Sequence, residues 1–309
     1  VTIFINIIQI GAQILTSRKL AQGDTEAAKK VFSTTILISL LLGIVLIIVV
    51  IPLCSLGNLL WVLGADIYSY KYALWYIIGF FAGAPFYIAY SVLFPIANLV
   101  NGKKHTTISI IVVLSINILG DILSGMLFKY GPNSTNLEYG KWAILGIGIA
   151  TSLSFVAGII VLSFVFRKKN SSLKFSLKNF TPSYIKEIAL IGLPAGAKVV
   201  FIFLRHTTIN VLFNNAQALT GGLVIPQYDP RVLFTALSAQ SHITPFVESL
   251  TGGLIATCLS LSSIFHAEED EDSLDELLKL VFESTLVVVL ALAVIYAACA
   301  GPLVKLYGV

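Results

Sequence analysis

Long apolar stretches alternate with short polar ones along almost the whole chain. Val31 to Ala65, Tyr72 to Gly102 and Trp142 to Phe166 contain no charged residue, and Thr106 to Phe128 contains one, Asp121. Ile188 to Phe213 is interrupted by Lys198, Arg205 and His206, and Ala236 to Phe265 carries His242 and Glu248. Leu277 to Leu306 is uncharged between Ser284 and Val304. Val1 to Leu15 is apolar but short, and reads as the tail of a helix. About 30 Å of hydrocarbon is crossed by roughly 20 residues at 1.5 Å each, so runs of this length predict spanning helices. The pattern predicts an all-α, polytopic membrane bundle of about eight helices.

Composition agrees. Of 309 residues, 57% are hydrophobic and 12% charged, with a mean hydropathy of +0.90. A soluble domain carries about twice that charged fraction and could not cover so much apolar surface. Charge then orients the bundle. Arg18, Lys19, Lys29 and Lys30 share one loop, Lys103 and Lys104 a second, and Arg167, Lys168, Lys169, Lys174, Lys178 and Lys186 a third. If each run spans once, all three lie on one side, which the positive-inside rule makes cytoplasmic. The opposite loops hold scattered Lys71, Lys129, Lys141 and Arg231, and the sequon Asn133-Ser134-Thr135 faces outside or is a polar turn. Basic residues are not interleaved with aromatics in a nucleic-acid-binding patch. Cys54, Cys258 and Cys299 form no metal or disulfide spacing, and no P-loop or catalytic triad stands out, which leaves an enzyme or an ATP-driven pump unsupported.

A shift of 250 residues lays Glu26 to Leu56 on Glu276 to Leu306, with Lys29 on Lys279, Thr35 on Thr285 and Pro52-Leu53 on Pro302-Leu303. Parallel repeats of this kind are a transporter architecture. The repeat predicts a first half lacking its opening helix and a second half lacking its last three. The acidic run from Glu268 to Glu276 sits on the inside, where Ser273-Leu-Asp-Glu276 reads as a capping box opening the last helix. Pro85 and Pro95 predict bends within one apolar run.

Asp121 is the best candidate for chemistry, because an ionised carboxylate at membrane depth is costly and usually faces a cavity. Asn117 is four residues earlier and Ser124 three later, so the three share a helix face. That oxygen-rich face suits Na⁺, and a desolvated carboxylate also suits a proton; the structural alternative is an interhelical hydrogen bond. Arg205, His206 and Glu248 form a second group, either lining a substrate cavity or forming a structural ion pair.

Gly11-Ala-Gln-Ile-Leu-Thr-Ser-Arg-Lys-Leu-Ala-Gln-Gly23-Asp24-Thr-Glu-Ala-Ala-Lys-Lys30 resembles the loop between helices 2 and 3 of the multidrug and toxic compound extrusion (MATE) family. Leu63-Gly64-Ala65 with Tyr72-Ala-Leu-Trp-Tyr76, then Asn117-Ile-Leu-Gly-Asp121, then Gly192-Leu193-Pro194-Ala195 are similar to the link into helix 4, to helix 5 and to the opening of helix 7. The order fits helices 2 to 9 of a twelve-helix family. The resemblance implies a two-lobed fold, with residues 1–166 in the first lobe, 167–183 as a cytoplasmic linker and 184–309 in the second lobe. It implies a small-molecule exporter in the plasma (inner) membrane, driven by Na⁺ or H⁺ without another cofactor. The expected substrates are amphipathic and cationic, the state monomeric, and nucleic acid is no partner. The sequence departs from the family where Lys198, Arg205 and His206 replace an acid found in some members, and where the acidic run replaces a Gly-rich loop. A flippase for lipid-linked saccharides, with Lys198 and Arg205 facing a pyrophosphate, and a non-transporting truncated membrane protein are the alternatives.

Overall fold

A computed structural model describes residues 2–56, 67–130, 137–167, 172–214, 254, 257–259, 261–266 and 268–306. The helices are α1 (Thr2–Ala21), α2 (Thr25–Ser55), α3 (Ile67–Ala82), α4 (Ala84–Leu99), α5 (Lys103–Tyr130), α6 (Leu137–Arg167), α7 (Ser183–Asn214) and α8 (Glu271–Leu306). A 3₁₀ turn, Leu177–Asn179, precedes α7, and no strand occurs among the described residues. The protein is an all-α helical bundle. Among the described residues five helices are long and apolar enough to cross a membrane, and α3 with α4 has the length and composition of a sixth when taken as one bent element. The helix expected from Ala236 to Phe265 lies mostly outside the described residues. Ile44, Ile48 and Val49 of α2 and Ile111, Leu114, Ile118 and Leu119 of α5 are exposed. Such apolar stripes fit lipid as their solvent.

The chain divides into two compact units, Val1–Val199 and Val200–Val309, at a point within α7. In the first, α1 packs on α2 and α4, α5 on α6, and α3 and α4 on α6. Val31, Phe32, Ile96, Leu162 and Leu173 are fully buried in its largest apolar cluster, where the Phe32 and Phe166 rings lie 4.7 Å apart. At the end away from the basic loops Trp75 and Trp142 pair at 6.0 Å, a place where interfacial aromatics collect.

The α1–α2 turn shows why Gly23-Asp24 is needed there. Gly23 has φ +74°, its N–H donates to the Leu20 carbonyl, and the Asp24 N–H donates to the Lys19 carbonyl. This turn closes α1, and only glycine enters the left-handed region without penalty. The Asp24 carboxylate then accepts the Ala27 N–H at 2.9 Å and caps α2. Two residues thus end one helix and start the next.

The apolar run predicted from Tyr72 to Gly102 is broken, with a 55° bend at Gly83. Pro85 sits in the first turn of α4, where its missing N–H removes no helical bond, while Pro95 lies inside α4. The Gly83 N–H turns to the Phe80 carbonyl, which leaves Gly79 without its helical donor. The buried Ser152 hydroxyl of α6 supplies one, at 2.8 Å to Gly79 and 3.2 Å to Phe80. A Cβ on Gly83 would overlap Ser152, and one on Gly43 of α2 would overlap Pro85, so the bend is clamped from two helices.

Glycines also bring α1 and the first half of α7 together. An added Cβ would strike the Ile188 carbonyl from Gly11, the Ile7 carbonyl from Gly192, and the Ile7 side chain from Gly196. Small residues permit this close helix approach.

In the second unit, the helical segment 261–266 ends in a turn with Glu269 at φ +58°. Asp270 follows, its carboxylate accepting the Ser273 N–H at 3.0 Å, and α8 begins at Glu271. The helix therefore starts earlier than the Ser273 capping box predicts, because Asp270 reaches the third N–H of the helix first. Glu269 and Asp270 stand in the roles of Gly23 and Asp24, about one helical turn earlier than the 250-residue register places them. The extra turn is in the helix, with α8 having 36 residues where α2 has 31.

Candidate functional site

The seam between α5 and α6 is antiparallel and built from small and polar residues. Ser109 donates to the Gly158 carbonyl at 3.0 Å, and Asn117 Nδ2 donates to Thr151 Oγ1 at 2.9 Å. Gly120 meets Ala150, and Gly146 meets the buried Ser124. Asn117 and Ser124 thus both lie on this seam, as their spacing from Asp121 implies.

Asp121 differs from its neighbours. Its side chain is half-buried, and Oδ1 is fully buried without a hydrogen-bond partner. Buried carboxylate oxygens are nearly always bonded, because desolvation without a partner is expensive. Asn117 does not relieve the cost, since its amide donates to Thr151 and not to this oxygen. The arrangement leaves an unsatisfied acceptor on the helix face that also carries the Asn117 amide and the Ser124 hydroxyl, groups whose oxygens are of the hard kind. Sequence reasoning named the three α5 residues and did not name Thr151, which the structure bonds to Asn117. The small-residue spacing of Gly146, Ala150 and Ser154 on α6 marks the facing helix and was the available signal.

The second group falls mostly outside the described residues. Arg205 is exposed on α7, while the His206 side chain and all of Glu248 lie outside the described residues, as does the 133–135 sequon. Lys198 is exposed. Among the described residues no three His, Cys, Asp or Glu side chains converge on a metal-sized site. In the acidic run Asp270 acts as a helix cap. Its carboxyl is held below the ordinary range by hydrogen bonds from the Ser273 hydroxyl and backbone N–H.

Known proteins resemble the chain in sequence and fold. Residues 1–124 match the family model MatE. The multidrug export protein MepA of Staphylococcus aureus (strain bovine RF122 / ET3-1) is 26% identical over 192 residues, covering 62% of this chain and 40% of that protein. MepA of Staphylococcus haemolyticus (strain JCSC1435) is 24% identical over 299 residues, covering 96% of this chain and 58% of that protein. The chain therefore spans less than two thirds of the length of either relative. An outward-facing multidrug-resistance MATE transporter of the MOP superfamily superposes with a TM-score of 0.74 at 19% identity, over 99% of this chain and 63% of that one. A MOP-superfamily transporter from Pyrococcus furiosus Vc1 (DSM3638) gives 0.74 at 20% identity, with the same shares covered. The helix order, the fold likeness and the sequence matches agree: the chain has the fold of MATE transporters, and its first 124 residues are similar to the MatE family in sequence.

Proposed function

We propose that this protein works in secondary-active efflux of amphipathic, cationic small molecules, with Na⁺ or H⁺ entering against the exported compound. The single observation that carries this reading is the Asp121 Oδ1 atom, buried at membrane depth without a hydrogen-bond partner. A cation or a proton at that oxygen offsets its desolvation, so occupancy changes the energy of the surrounding helices. Asn117 and Ser124 would flank the ion. Transport would follow by alternating access between two lobe arrangements, with the ion shifting their balance only through its differential affinity for the two. The family relatives carry multidrug export in their names, which supports the substrate class. The plasma membrane and a monomeric state belong to the same proposal.

The test is export of a cationic dye by cells expressing the protein from its whole reading frame, with and without Asp121→Asn. The expected result is active export in the parent and at least a tenfold loss in D121N at equal membrane abundance, the loss of about 1.4 kcal/mol or more of coupling. Export unchanged in D121N would make Asp121 a packing residue. Absence of export from an abundant parent would turn the search to lipid-linked saccharides.

A further inference from the structure

The segment between α6 and α7 is basic, and its described part is strapped to α2. Leu173 is fully buried in the main apolar cluster. The Ser176 N–H donates to Ser33 Oγ at 3.2 Å, and the Thr181 N–H donates to Thr34 Oγ1 at 3.0 Å. The Thr34 hydroxyl donates back to the Thr181 carbonyl at 3.4 Å. Between these anchors the chain makes the Leu177–Asn179 turn.

The height of these anchors is informative. The uncharged run of α2 begins at Val31, so Ser33 and Thr34 lie two and three residues inside it. At 1.5 Å per residue the anchors lie about 4–6 Å below Lys30, the last charged level of α2, at the boundary of headgroups and acyl chains. Leu177 is 67% exposed and Phe175 46%, and Ile185 of the first turn of α7 is exposed beside them. From Arg167 to Lys186 the sequence has Arg167, Lys168, Lys169, Lys174, Lys178 and Lys186 and no acid. Exposed apolar side chains interleaved with lysines at this depth complement an anionic lipid surface. A cytosolic partner protein would have to enter the headgroup layer to reach them.

We propose that residues 173–185 form an interfacial strap, with Phe175 and Leu177 inserted into the cytoplasmic leaflet and Lys174 and Lys178 binding anionic phospholipid headgroups. The long lysine stems lie along the acyl boundary while their ammonium groups reach the phosphates. The proposal depends on membrane embedding and on the inside orientation of the basic loops. It does not depend on transport, so it can be tested on a protein that exports nothing.

The protein from its whole reading frame, with all its tryptophans, Trp61, Trp75 and Trp142 included, changed to Phe and Leu177→Trp added, would be reconstituted in phosphatidylcholine vesicles with and without phosphatidylglycerol. Bromine on shallow acyl carbons of one lipid or the other is the quencher. The L177W emission is expected to be blue-shifted, quenched by brominated lipid and resistant to aqueous iodide. Brominated phosphatidylglycerol is expected to quench more strongly than brominated phosphatidylcholine at equal amounts. Lys174→Gln with Lys178→Gln should remove that difference, each lysine lowering the anionic preference roughly five-fold, while quenching by brominated phosphatidylcholine persists. Phe175→Trp serves as the second probe if L177W does not fold. Water-exposed emission quenched by iodide, or equal quenching by the two lipids, overturns the proposal.

Discussion

Asp270 shows how one side chain fixes where a helix begins. It accepts the Ser273 N–H and sits after Glu269, whose φ of +58° places it where Gly23 stands in the other half. Hydrogen bonds from Ser273 hold the Asp270 carboxyl below its ordinary value of 3.8 in the folded protein. The folded value lies below the unfolded one, so the stabilisation is complete above the unfolded value and disappears as pH falls through the folded one. The Ser273 amide, normalised for intrinsic exchange, is therefore expected to be protected near neutral pH and to lose protection below about pH 4. Asp270→Ala should leave it unprotected throughout, and protection that ignores both pH and the substitution would exclude the cap. The sequence made the cap legible in kind but misplaced it. Ser273 and Glu276 satisfy a capping pattern, yet Asp270 is an equally good acceptor one turn earlier, and a left-handed Glu269 is not a residue that pattern reading expects.

At the scale of elements, the apolar runs were legible because hydrocarbon thickness demands length and excludes charge, and α2, α5, α6, α7 and α8 follow them. The break between α3 and α4 was half legible. Pro85 and Pro95 announced a bend, but both are compatible with a helix, one in a first turn and one inside α4. What decides the position is a tertiary partner, the Ser152 hydroxyl, which takes over the carbonyl that the break releases. No local pattern in 72–102 contains that information. The same limit applied to Asn117, whose partner Thr151 is 34 residues away. Ser152→Ala leaves the Gly79 carbonyl unsatisfied in a nonpolar setting and should cost about 1–3 kcal/mol. It is read as a lower unfolding midpoint of the purified protein in detergent, with Ser152→Thr, which keeps the hydroxyl, recovering part of the loss. If S152A unfolds at the parent's midpoint, the hydroxyl does not hold the bend.

At the scale of the whole molecule, α1 and α7 belong to different proposed lobes yet meet through glycines. Gly11 and Gly192 each bring a backbone against the other helix, and Gly196 lies over the Ile7 side chain. An added Cβ on Gly196 would be 2.5 Å from Ile7 Cγ1, which brings it within disulfide range of the Ile7 Cβ. If the lobes rearrange during transport, this crossing must open, because close-packed backbones exchange partners in discrete steps. Ile7→Cys with Gly196→Cys, in the protein from its whole reading frame, is therefore expected to stop dye export on oxidation and to restore it on reduction. Each single substitution should retain most of the export under the same oxidant. Full export with the pair completely cross-linked would mean that α1 and α7 stay together through the cycle. The moving boundary would then have to lie farther along the chain, beyond the glycines of α7.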